Sequence, residues 1–416
     1  MTQIDSCVKS HKAELLSLEQ AFEQIFESIR PLIGRETLNL KDSLNRIIAE
    51  DIKSENDIPP HRNSSMDGYA ISSRDIPVSG TSYLTVVGTS WAGRPYLNNL
   101  SPGQCVRIFT GAAVPEGADT VIMQEDVRRQ NDSVEIPNSI KAGENLRYPG
   151  DDVSKGQKIF SSGRRLRAED LGILASIGRL SVPVFRKLCV AFFSTGDELR
   201  PLGRSLEFGE IYDSNRYTLY GLLSSLGIDL LDMGTIPDNS DEIKSALTEA
   251  AAESDVIITT GGASVGEADY LFEAINEVGQ IKFWKIAIKP GKPLLFGNIN
   301  DQVFFGLPGN PVSVAVTFHK IVSPILKVMM GEKHQSTLKI KARCGSILTK
   351  EAGRREFQRG FLERNEDGEL IVKPFKSQGS HILTSVSQSN CFIVLPEEST
   401  GLEEGQYVDV ELFATL

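Results

Sequence analysis

The sequence has few cysteines, no excess of basic residues and no long apolar run, and each absence excludes a class of protein. Five cysteines in 416 residues are widely scattered without a CxxC pair, which argues against a zinc site or a disulfide framework. The net charge of −11 lacks the basic excess typical of proteins that bind nucleic acid or anionic membranes. No apolar run approaches the ~18 residues of a membrane span, and the N-terminal stretch lacks a signal-peptide pattern. We therefore expect a cytoplasmic protein with idle thiols and with neither nucleic-acid nor membrane partners.

The pattern of apolar residues predicts a multidomain α/β plus β protein. A capped helical pattern from Ser17, together with a second helical stretch, predicts an N-terminal helical and linker domain over residues 11–62 and 151–187. Short strands separated by turns predict an inserted β domain over 63–150. Apolar strands alternating with helices predict a doubly wound α/β domain over 188–337, and short strands then predict a β-barrel-like domain over 338–416.

The loops that follow the α/β strands are rich in charged residues. Ligands of open α/β sheets bind at the carboxyl ends of the strands, so side chains in these loops can meet in one cleft. Four successive loops carry the acids and lysines Glu198, Asp238, Asp269, Lys285, Lys289 and Lys292. Asp238 can equally cap the next helix, and Asp269 can equally favour a helix N-terminus. Three lysines in one turn with Pro290 and Gly291 suit phosphate or another oxyanion.

The third of these loops, "TTGGASVGEADY", combines backbone exposed by glycine with carboxylates. Gly261, Gly262 and the hydroxyl of Ser264 suit an anion, because glycine lets a ligand approach backbone N–H groups closely. The loop is neither a Walker A motif nor a GxGxxG motif. Acids beside an anion site suggest Mg²⁺ shared between carboxylates and phosphate oxygens. The loop therefore predicts a metal–phosphate site.

Polar loops in the predicted β insert form a second group. They are "NSSMDGYA", "TGAAVPEGAD" and "RYPGDD". Turn chemistry alone explains most of their glycines and aspartates. That explanation is weaker for Asp67, which precedes a strand-like segment.

Seven motifs occurring in one order make the chain resemble the molybdopterin molybdenumtransferase family, which includes the E domain of gephyrin. They are "SSMDGYAI", "TGAAVPEGADTVIMQED", "FSTGDEL", "IYDSN", "TTGGASVGEADY", "FWKIAIKPGKPLLFG" and "LPGNPVS", and the resemblance runs from about residue 17 to the C-terminus. It implies an elongated homodimer of four-domain subunits. The implied reaction inserts molybdenum from molybdate into adenylylated molybdopterin and releases AMP with Mg²⁺ assistance. The cleft would lie between the α/β domain of one subunit and the β insert of the other.

The resemblance also assigns roles to individual residues. Glu198, Asp238 and Asp269 would be metal-binding or catalytic acids, and Lys285 and Lys289, with Lys292 beside them, would bind oxyanions. The remaining candidates lie elsewhere in the chain: Asp67, Thr110 and Asp152 would come across the dimer interface, Pro308 and Pro311 would shape the cleft wall, and Arg355 and Ser380 would reach the anion from the last domain. Arg354 and Arg359 are alternatives to Arg355, and Asp151 is an alternative to Asp152.

Two other functions compete with this interpretation. A molybdopterin adenylyltransferase resembles only residues 188–331, so it leaves the N-terminal and C-terminal domains unexplained. A scaffold role is the second alternative, because the gephyrin E domain also binds a receptor peptide, but the chain has no long linker. The family interpretation also leaves open a contact with the molybdopterin adenylyltransferase.

Overall fold

The computed structural model describes residues 15–31, 34–262, 270–333 and 336–413. The chain divides into two compact units. One unit is Thr37–Val184, and the other combines the N-terminal segment up to Glu36 with the chain from Phe185 onward. The predicted multidomain α/β plus β fold class is confirmed, whereas the four domain boundaries stay a prediction.

The described residues of the first half of the chain form two α-helices and twelve strands. In chain order, these are α1 (Leu18–Ser28), β1 (Arg35–Asn39), β2 (Ile52–Lys53), β3 (Asn63–Ser64), β4 (Gly68–Ile71), β5 (Thr81–Ser90), β6 (Gln104–Ile108), β7 (Thr120–Met123), β8 (Arg128–Gln130), β9 (Ser133–Pro137), β10 (Leu146–Arg147), β11 (Lys158–Phe160), α2 (Ala168–Ser176) and β12 (Ser181–Phe185).

Helix α1 begins as its sequence predicts. The Ser17 hydroxyl accepts a bond from the Gln20 N–H and the Gln20 side chain accepts one from the Ser17 N–H, which completes the capping box. The helix buries Leu18, Ala21 and Ile25 on one face. Lys282 of the second unit's sheet donates to the hydroxyl of Ser28, so α1 contacts that sheet.

A six-stranded sheet forms the core of the predicted β insert. Its strand order is β7-β4-β6-β5-β9-β8. Strand β4 is antiparallel to β6, whereas β5 runs parallel to β6. Apolar clusters cover both faces of the sheet, one containing Ile71 and Val134 and the other Val106 and Val121. The loops at one end of the sheet therefore rest on a packed core.

The α/β part of the second unit contains nine strands and five helices in the described chain. They are β13 (Cys189–Thr195), β14 (Leu199–Arg200), β15 (Ile211–Tyr212), α3 (Ser214–Ser225), β16 (Asp229–Ile236), α4 (Ser240–Glu253), β17 (Val256–Thr260), α5 (Tyr270–Val278), β18 (Gly279–Lys285), β19 (Ile288–Lys289), β20 (Pro293–Ile299), β21 (Gln302–Leu307), α6 (Pro311–Thr317) and α7 (Ser323–Met329).

The main sheet is parallel at its centre and antiparallel at one edge. Its order is β16-β13-β17-β21-β20-β18, in which the first four strands are parallel and β20 runs antiparallel to both neighbours. Only Asn300 and Asp301 separate β20 from β21, which is too short for the crossover that parallel pairing needs. Helices α4 and α5 pack against Phe193, Ile257 and Phe304 on one face.

The C-terminal strands close into a barrel. The strands and the short helix of this region are β22 (Ile340–Cys344), β23 (Leu348–Thr349), β24 (Arg355–Arg364), β25 (Leu370–Pro374), α8 (Thr384–Gln388), β26 (Cys391–Leu395), β27 (Gly401–Leu402) and β28 (Tyr407–Leu412). Strands β23 and β27 pair with each other outside the barrel. The order β24-β25-β22-β28-β26 closes on itself because β26 also pairs with β24. The predicted β-barrel-like ending is confirmed.

A long apolar helical run joins the α/β sheet to the barrel. Pro311–Met329 has the length and composition of a membrane span, but 72% of that window is buried within the protein, as in the core helix of a globular fold. Buried Lys320 pairs there with Glu411 of the barrel. The helix is therefore part of the core.

Candidate functional site

The order of the strands creates a crevice at the carboxyl edge of the main sheet. From β13 the chain passes through α3 to β16 on one side, and from β16 it passes through α4 to β17 on the other side of β13. Loops that leave neighbouring parallel strands in opposite directions open a ligand-binding crevice between them. Here the crevice lies between the ends of β13 and β17, at Thr195 and Thr260.

Glycine lets the two loops of this crevice approach closely. A Cβ at Gly261 would lie 2.3 Å from the carbonyl oxygen of Thr195, and a Cβ at Gly262 would lie 3.0 Å from the Thr195 hydroxyl. Both glycines have positive φ, +94° and +61°. The hydroxyls of Ser194, Thr195 and Thr259 are buried without a hydrogen-bond partner among the described residues. The crevice floor is therefore a polar, backbone-rich surface.

Asn215 holds the two central loops together. Its side-chain amide donates to the Thr260 hydroxyl at 3.0 Å and to the Gly309 carbonyl at 2.7 Å. The Thr260 hydroxyl in turn donates to the Pro308 carbonyl at 3.0 Å. The ends of β17 and β21 are thus fixed to the first turn of α3.

Carboxylates gather beside the crevice, after β13 and β16. Glu198 folds back over Gly196, where a Cβ would lie 2.6 Å from a carboxylate oxygen of Glu198. The Asp238 N–H donates to the Asp197 carboxylate at 3.1 Å. Burial, followed by the negative charges of Asp197 and Glu198, raises the pKa of Asp238 against the lowering effect of a backbone hydrogen bond from Asp197. The predicted Glu198 and Asp238 therefore do lie together, with Asp197 as a third acid.

The three predicted lysines separate into two environments. Burial and the charge of Lys292 lower the pKa of Lys285, whose ammonium group lies 3.3 Å from the centre of the Trp284 ring. No acid in the described parts of the chain forms an ion pair with Lys285 or Lys292. Lys289 instead pairs with Glu356 of the barrel at 3.2 Å. Lys285 and Lys292 are thus cations without an ion-pair partner among the described residues, and an oxyanion would neutralise them.

Acids and lysines share the carboxyl edge but not the same position along it. Lys285 lies at the end of β18, opposite Pro293 of the neighbouring strand β20, and β18 runs parallel to the central strands. Strands β16 and β18 are the two outermost strands, five steps apart, or roughly 24 Å at about 4.8 Å per step. The acids and lysines therefore leave the sheet near opposite ends of this edge, which suits an elongated ligand better than a compact oxyanion. That they meet in one cleft stays a prediction.

In the β insert, Asp67 and Thr110 form a preorganised pair. The Thr110 N–H and hydroxyl both donate to Asp67 Oδ1 at 2.8 Å. These two bonds lower the pKa of the Asp67 carboxyl. Asp151 Oδ2 accepts from the Tyr148 N–H at 2.7 Å within the turn, whereas no described residue bonds the Asp152 carboxylate. Asp152 is therefore the better candidate of the two.

The remaining predicted residues lie around the start of α6 and in the barrel. Pro308 and Pro311 flank the turn before α6, and Ser380 contributes a carbonyl that accepts from the Val312 N–H at 3.1 Å. Arg355 is engaged by Glu19 and Glu397 at 2.6 and 3.1 Å. Burial alone would lower the pKa of Arg355, but these two carboxylates raise it. Its anion-binding role stays a prediction, since a ligand has to compete with both acids.

Two predicted residues, Ser264 and Asp269, lie outside the described residues. The sequence did not point to two other residues of interest, Asn215, which stands in the motif "IYDSN", and Trp91. An Asn two residues after the helix-capping Asp213 is a signal that can be recognised from the local sequence. The stacking of Trp91 on Phe109 joins residues that follow two different strands, so it cannot be recognised from the local sequence.

Comparisons with known proteins cover almost the whole chain. Three family profiles match it: "MoeA N-terminal region (domain I and II)" at residues 16–178, "Probable molybdopterin binding domain" at 191–328 and "MoeA C-terminal region (domain IV)" at 341–413. The three matched ranges cover, in turn, the six-stranded sheet of the β insert, most of the α/β sheet and most of the C-terminal barrel.

Individual relatives agree with the profiles. A molybdopterin molybdenumtransferase of Haemophilus influenzae is 43% identical over 96% of this chain and 99% of its own. A gephyrin of Dictyostelium discoideum is 31% identical over 92% of this chain and 60% of its own. The crystal structure of a molybdopterin biosynthesis moeA protein from Pyrococcus horikoshii OT3 superposes with a TM-score of 0.85 at 30% identity, covering 96% of this chain and all of that one.

Proposed function

Since this chain belongs to the molybdopterin molybdenumtransferase family of molybdenum cofactor biosynthesis, we propose that it inserts molybdenum from molybdate into adenylylated molybdopterin and releases AMP. The observation that supports this proposal most strongly is the charge along one sheet edge, where Glu198 and Asp238 follow β13 and β16 and Lys285, which has no ion-pair partner among the described residues, ends β18. An elongated substrate with a phosphate bridge in its middle suits such an edge better than a compact ligand does.

The acid subsite suits the phosphates together with Mg²⁺. Mg²⁺ is usually held by one or two carboxylates plus substrate phosphates, so it does not need a complete protein cage. No three acids, histidines or cysteines among the described residues form such a cage, but Glu198 and Asp238 supply the two carboxylates. The pKa of Asp238 is raised first by burial and then by the negative charges of Asp197 and Glu198, and a divalent cation would relieve that repulsion. The bound ion would neutralise charge on the phosphate oxygens.

The backbone around Gly261 and Gly262 would receive the phosphates themselves. Glycine at both positions permits the positive φ values and the close packing against Thr195, and the backbone N–H groups of the loop would bind the anion. Asn215 would hold the loop in place by its bonds to Thr260 and Gly309. Asp269 and Ser264, predicted from the same loop, would complete the acid and hydroxyl ligands.

The lysine subsite would hold molybdate. Lys285 and Lys292 repel each other, so a dianion placed between them gains attraction from both. Lys289 would help to position the anion while paired with Glu356. Pro308, Pro311, Arg355 and Ser380 would shape and close this end of the site. No redox step is needed to hold molybdate there.

The partners belong to the same proposal. We propose a homodimer in which Asp67, Thr110 and Asp152 of one chain serve the α/β domain of the other. A contact with the molybdopterin adenylyltransferase would let the adenylylated substrate pass directly between the enzymes. The free thiols Cys105, Cys189, Cys344 and Cys391 suit the reducing cytoplasm.

A nucleotide-transfer assay separates this proposal from its nearest rival. The protein is incubated with ATP and molybdopterin in the absence of molybdate, and the pterin products are separated chromatographically. We expect no adenylylated molybdopterin to form. Its formation at catalytic rates would favour the adenylyltransferase function instead.

A further inference from the structure

Trp91, one of two tryptophans in the sequence, presents a largely exposed ring at the end of β5. Its exposed fraction is 51%. A single exposed aromatic residue is ordinary on a protein surface and carries no inference by itself. The arrangement beneath and beside Trp91 is what sets it apart.

Trp91 is the outer member of a stacked column. Its ring lies 4.0 Å from that of Phe109, centre to centre, with 11° between the planes. The Arg107 guanidinium lies 4.8 Å from the Phe109 ring centre and 5.1 Å from that of buried Tyr69. Backbone bonds of 3.0 and 2.9 Å between Trp91 and Arg94 close the turn that carries the ring. The indole is thus held in place before any ligand arrives.

The column lies beside the Asp67–Thr110 pair, in a row of neighbouring residues that crosses the end of strands β4, β6 and β5. Ile108 pairs with Gly68 on β4 and with Ser90 on β5, so the next residues at this end of the sheet are Asp67, Phe109 and Trp91. Two strand spacings of about 4.8 Å place the backbone of Trp91 roughly 10 Å from Asp67. All of these residues belong to the six-stranded sheet of the β insert.

Asp67 has a carboxylate oxygen, Oδ2, that can accept a hydrogen bond from a ligand beside Trp91. Both Thr110 donors bind its Oδ1, and no hydrogen bond to Oδ2 comes from the described residues. The row therefore offers a flat apolar ring face and, within the length of a nucleoside, a carboxylate oxygen that accepts N–H or O–H donors.

We propose that Trp91 is the stacking platform for a planar nitrogen heterocycle of the substrate, with Asp67 and Thr110 as its polar partners. This proposal rests on the proposed function, which supplies two such rings, the adenine and the pterin of adenylylated molybdopterin. Base stacking on an aromatic side chain is favourable and tolerant of base identity. A second copy of this chain covering Trp91 is the competing explanation.

Calorimetric titrations of the full-length protein test the platform without relying on turnover. The probes are AMP, 6-hydroxymethylpterin and ribose 5-phosphate, which lacks a base. We expect Trp91→Ala to weaken binding of AMP or of the pterin on the order of tenfold. The affected probe identifies the ring, whereas ribose 5-phosphate binding stays unchanged. Trp91→Phe keeps an aromatic face and should bind within about threefold of wild type.

Tyr83→Ala is the matched control, because Tyr83 is also exposed, at 60%, near the opposite end of β5. It should leave all three affinities unchanged. The proposal is overturned if Trp91→Ala binds AMP and the pterin like wild type, if wild type binds neither, or if sedimentation shows that the variant only loses self-association. Ring binding that depends on Trp91 would stand even if AMP release proved independent of molybdate, so the two proposals can fail separately.

Discussion

The side-chain amide of Asn215 donates a 2.7 Å hydrogen bond to the carbonyl oxygen of Gly309. With its second bond, to Thr260, it ties the loops after β17 and β21 to the first turn of α3. The floor of the crevice therefore depends on one amide whose two donors are both used. Its Oδ1 is buried and accepts no hydrogen bond from the described residues, which indicates a side chain oriented by its donors.

Removing this amide should impair binding and catalysis more than folding. We expect Asn215→Ala to lower the unfolding free energy by about 1–2 kcal/mol and kcat/KM by at least about tenfold, because the loops lose their fixed spacing. Asn215→Asp, similar in shape but without donors, should behave alike. Thr218→Ala is the control, since the Thr218 hydroxyl bonds the Ser214 carbonyl within α3 at 2.9 Å. A wild-type kcat/KM in Asn215→Ala would show that the hydrogen bonds of Asn215 do not position the loops for catalysis.

The pKa of Asp238 predicts how stability depends on pH. Because the folded state raises this pKa, the proton is held more tightly in the folded than in the unfolded chain. The group's contribution to stability is therefore complete below the ordinary aspartate pKa near 4 and is lost as pH rises through the folded pKa. Asp238→Asn should raise the Tm at neutral pH and flatten its pH dependence.

The same variant tests the metal. Mg²⁺ should raise the Tm of wild type and leave that of Asp238→Asn nearly unchanged, as measured by thermal unfolding without substrate. Glu249→Gln, an exposed change on α4, should respond to Mg²⁺ like wild type. An equal Mg²⁺ effect on Asp238→Asn and wild type would remove Asp238 from the metal site.

The lysines should respond differently to substitution. Lys285→Ala removes an uncompensated cation, so we expect an increase of about tenfold or more in the molybdate concentration for half-maximal AMP release, with stability unchanged. Lys289→Ala should also raise the molybdate requirement, but it leaves the buried Glu356 carboxylate unpaired and should lower stability as well.

A double variant separates the two effects of Lys289. Lys289→Ala with Glu356→Gln should recover most of the lost stability while keeping the higher molybdate requirement. Molybdate titrations and thermal unfolding of the same samples measure both quantities. Unchanged molybdate dependence in Lys285→Ala would rule out the lysine subsite.

The sequence predicted which residues lie at the sheet edge but not their spacing along it. Glu198, Asp238 and Lys285 each follow a strand-forming run, and parallel strands end at one edge, so their placement follows from local patterns. The order β16-β13-β17-β21-β20-β18 depends on which strands pair, and the pairing cannot be deduced from any single segment of the sequence. The roughly 24 Å between the outer strands therefore emerged only from the fold.

Contacts between distant segments were missed for the same reason. Arg355 is engaged by Glu19, 336 positions away, and Lys289 by Glu356. Glu19 is distant in sequence from Arg355, and Glu356 is distant from Lys289. Both cations were therefore predicted to be available to bind an anion. Local signals were more reliable: the helix start predicted at Ser17 is present, as a capping box with Gln20.

Mixed dimers test the proposed sharing of the site between subunits. Asp67→Asn and Asp238→Asn homodimers should each be strongly impaired. If Asp67 of one chain serves Asp238 of the other, random exchange of subunits should restore about a quarter of wild-type activity, since half the dimers would carry one intact site. No recovery after verified subunit exchange would place both residues in a site formed by one chain.

AMP release from adenylylated molybdopterin, measured in a single turnover with and without molybdate, tests the account most directly. Two subsites along one edge predict rapid release of one AMP per molybdenum incorporated when molybdate and Mg²⁺ are both present, and slow release when molybdate is omitted. Equally fast AMP release without molybdate would contradict the account, because the lysine end of the crevice would then have no part in the reaction.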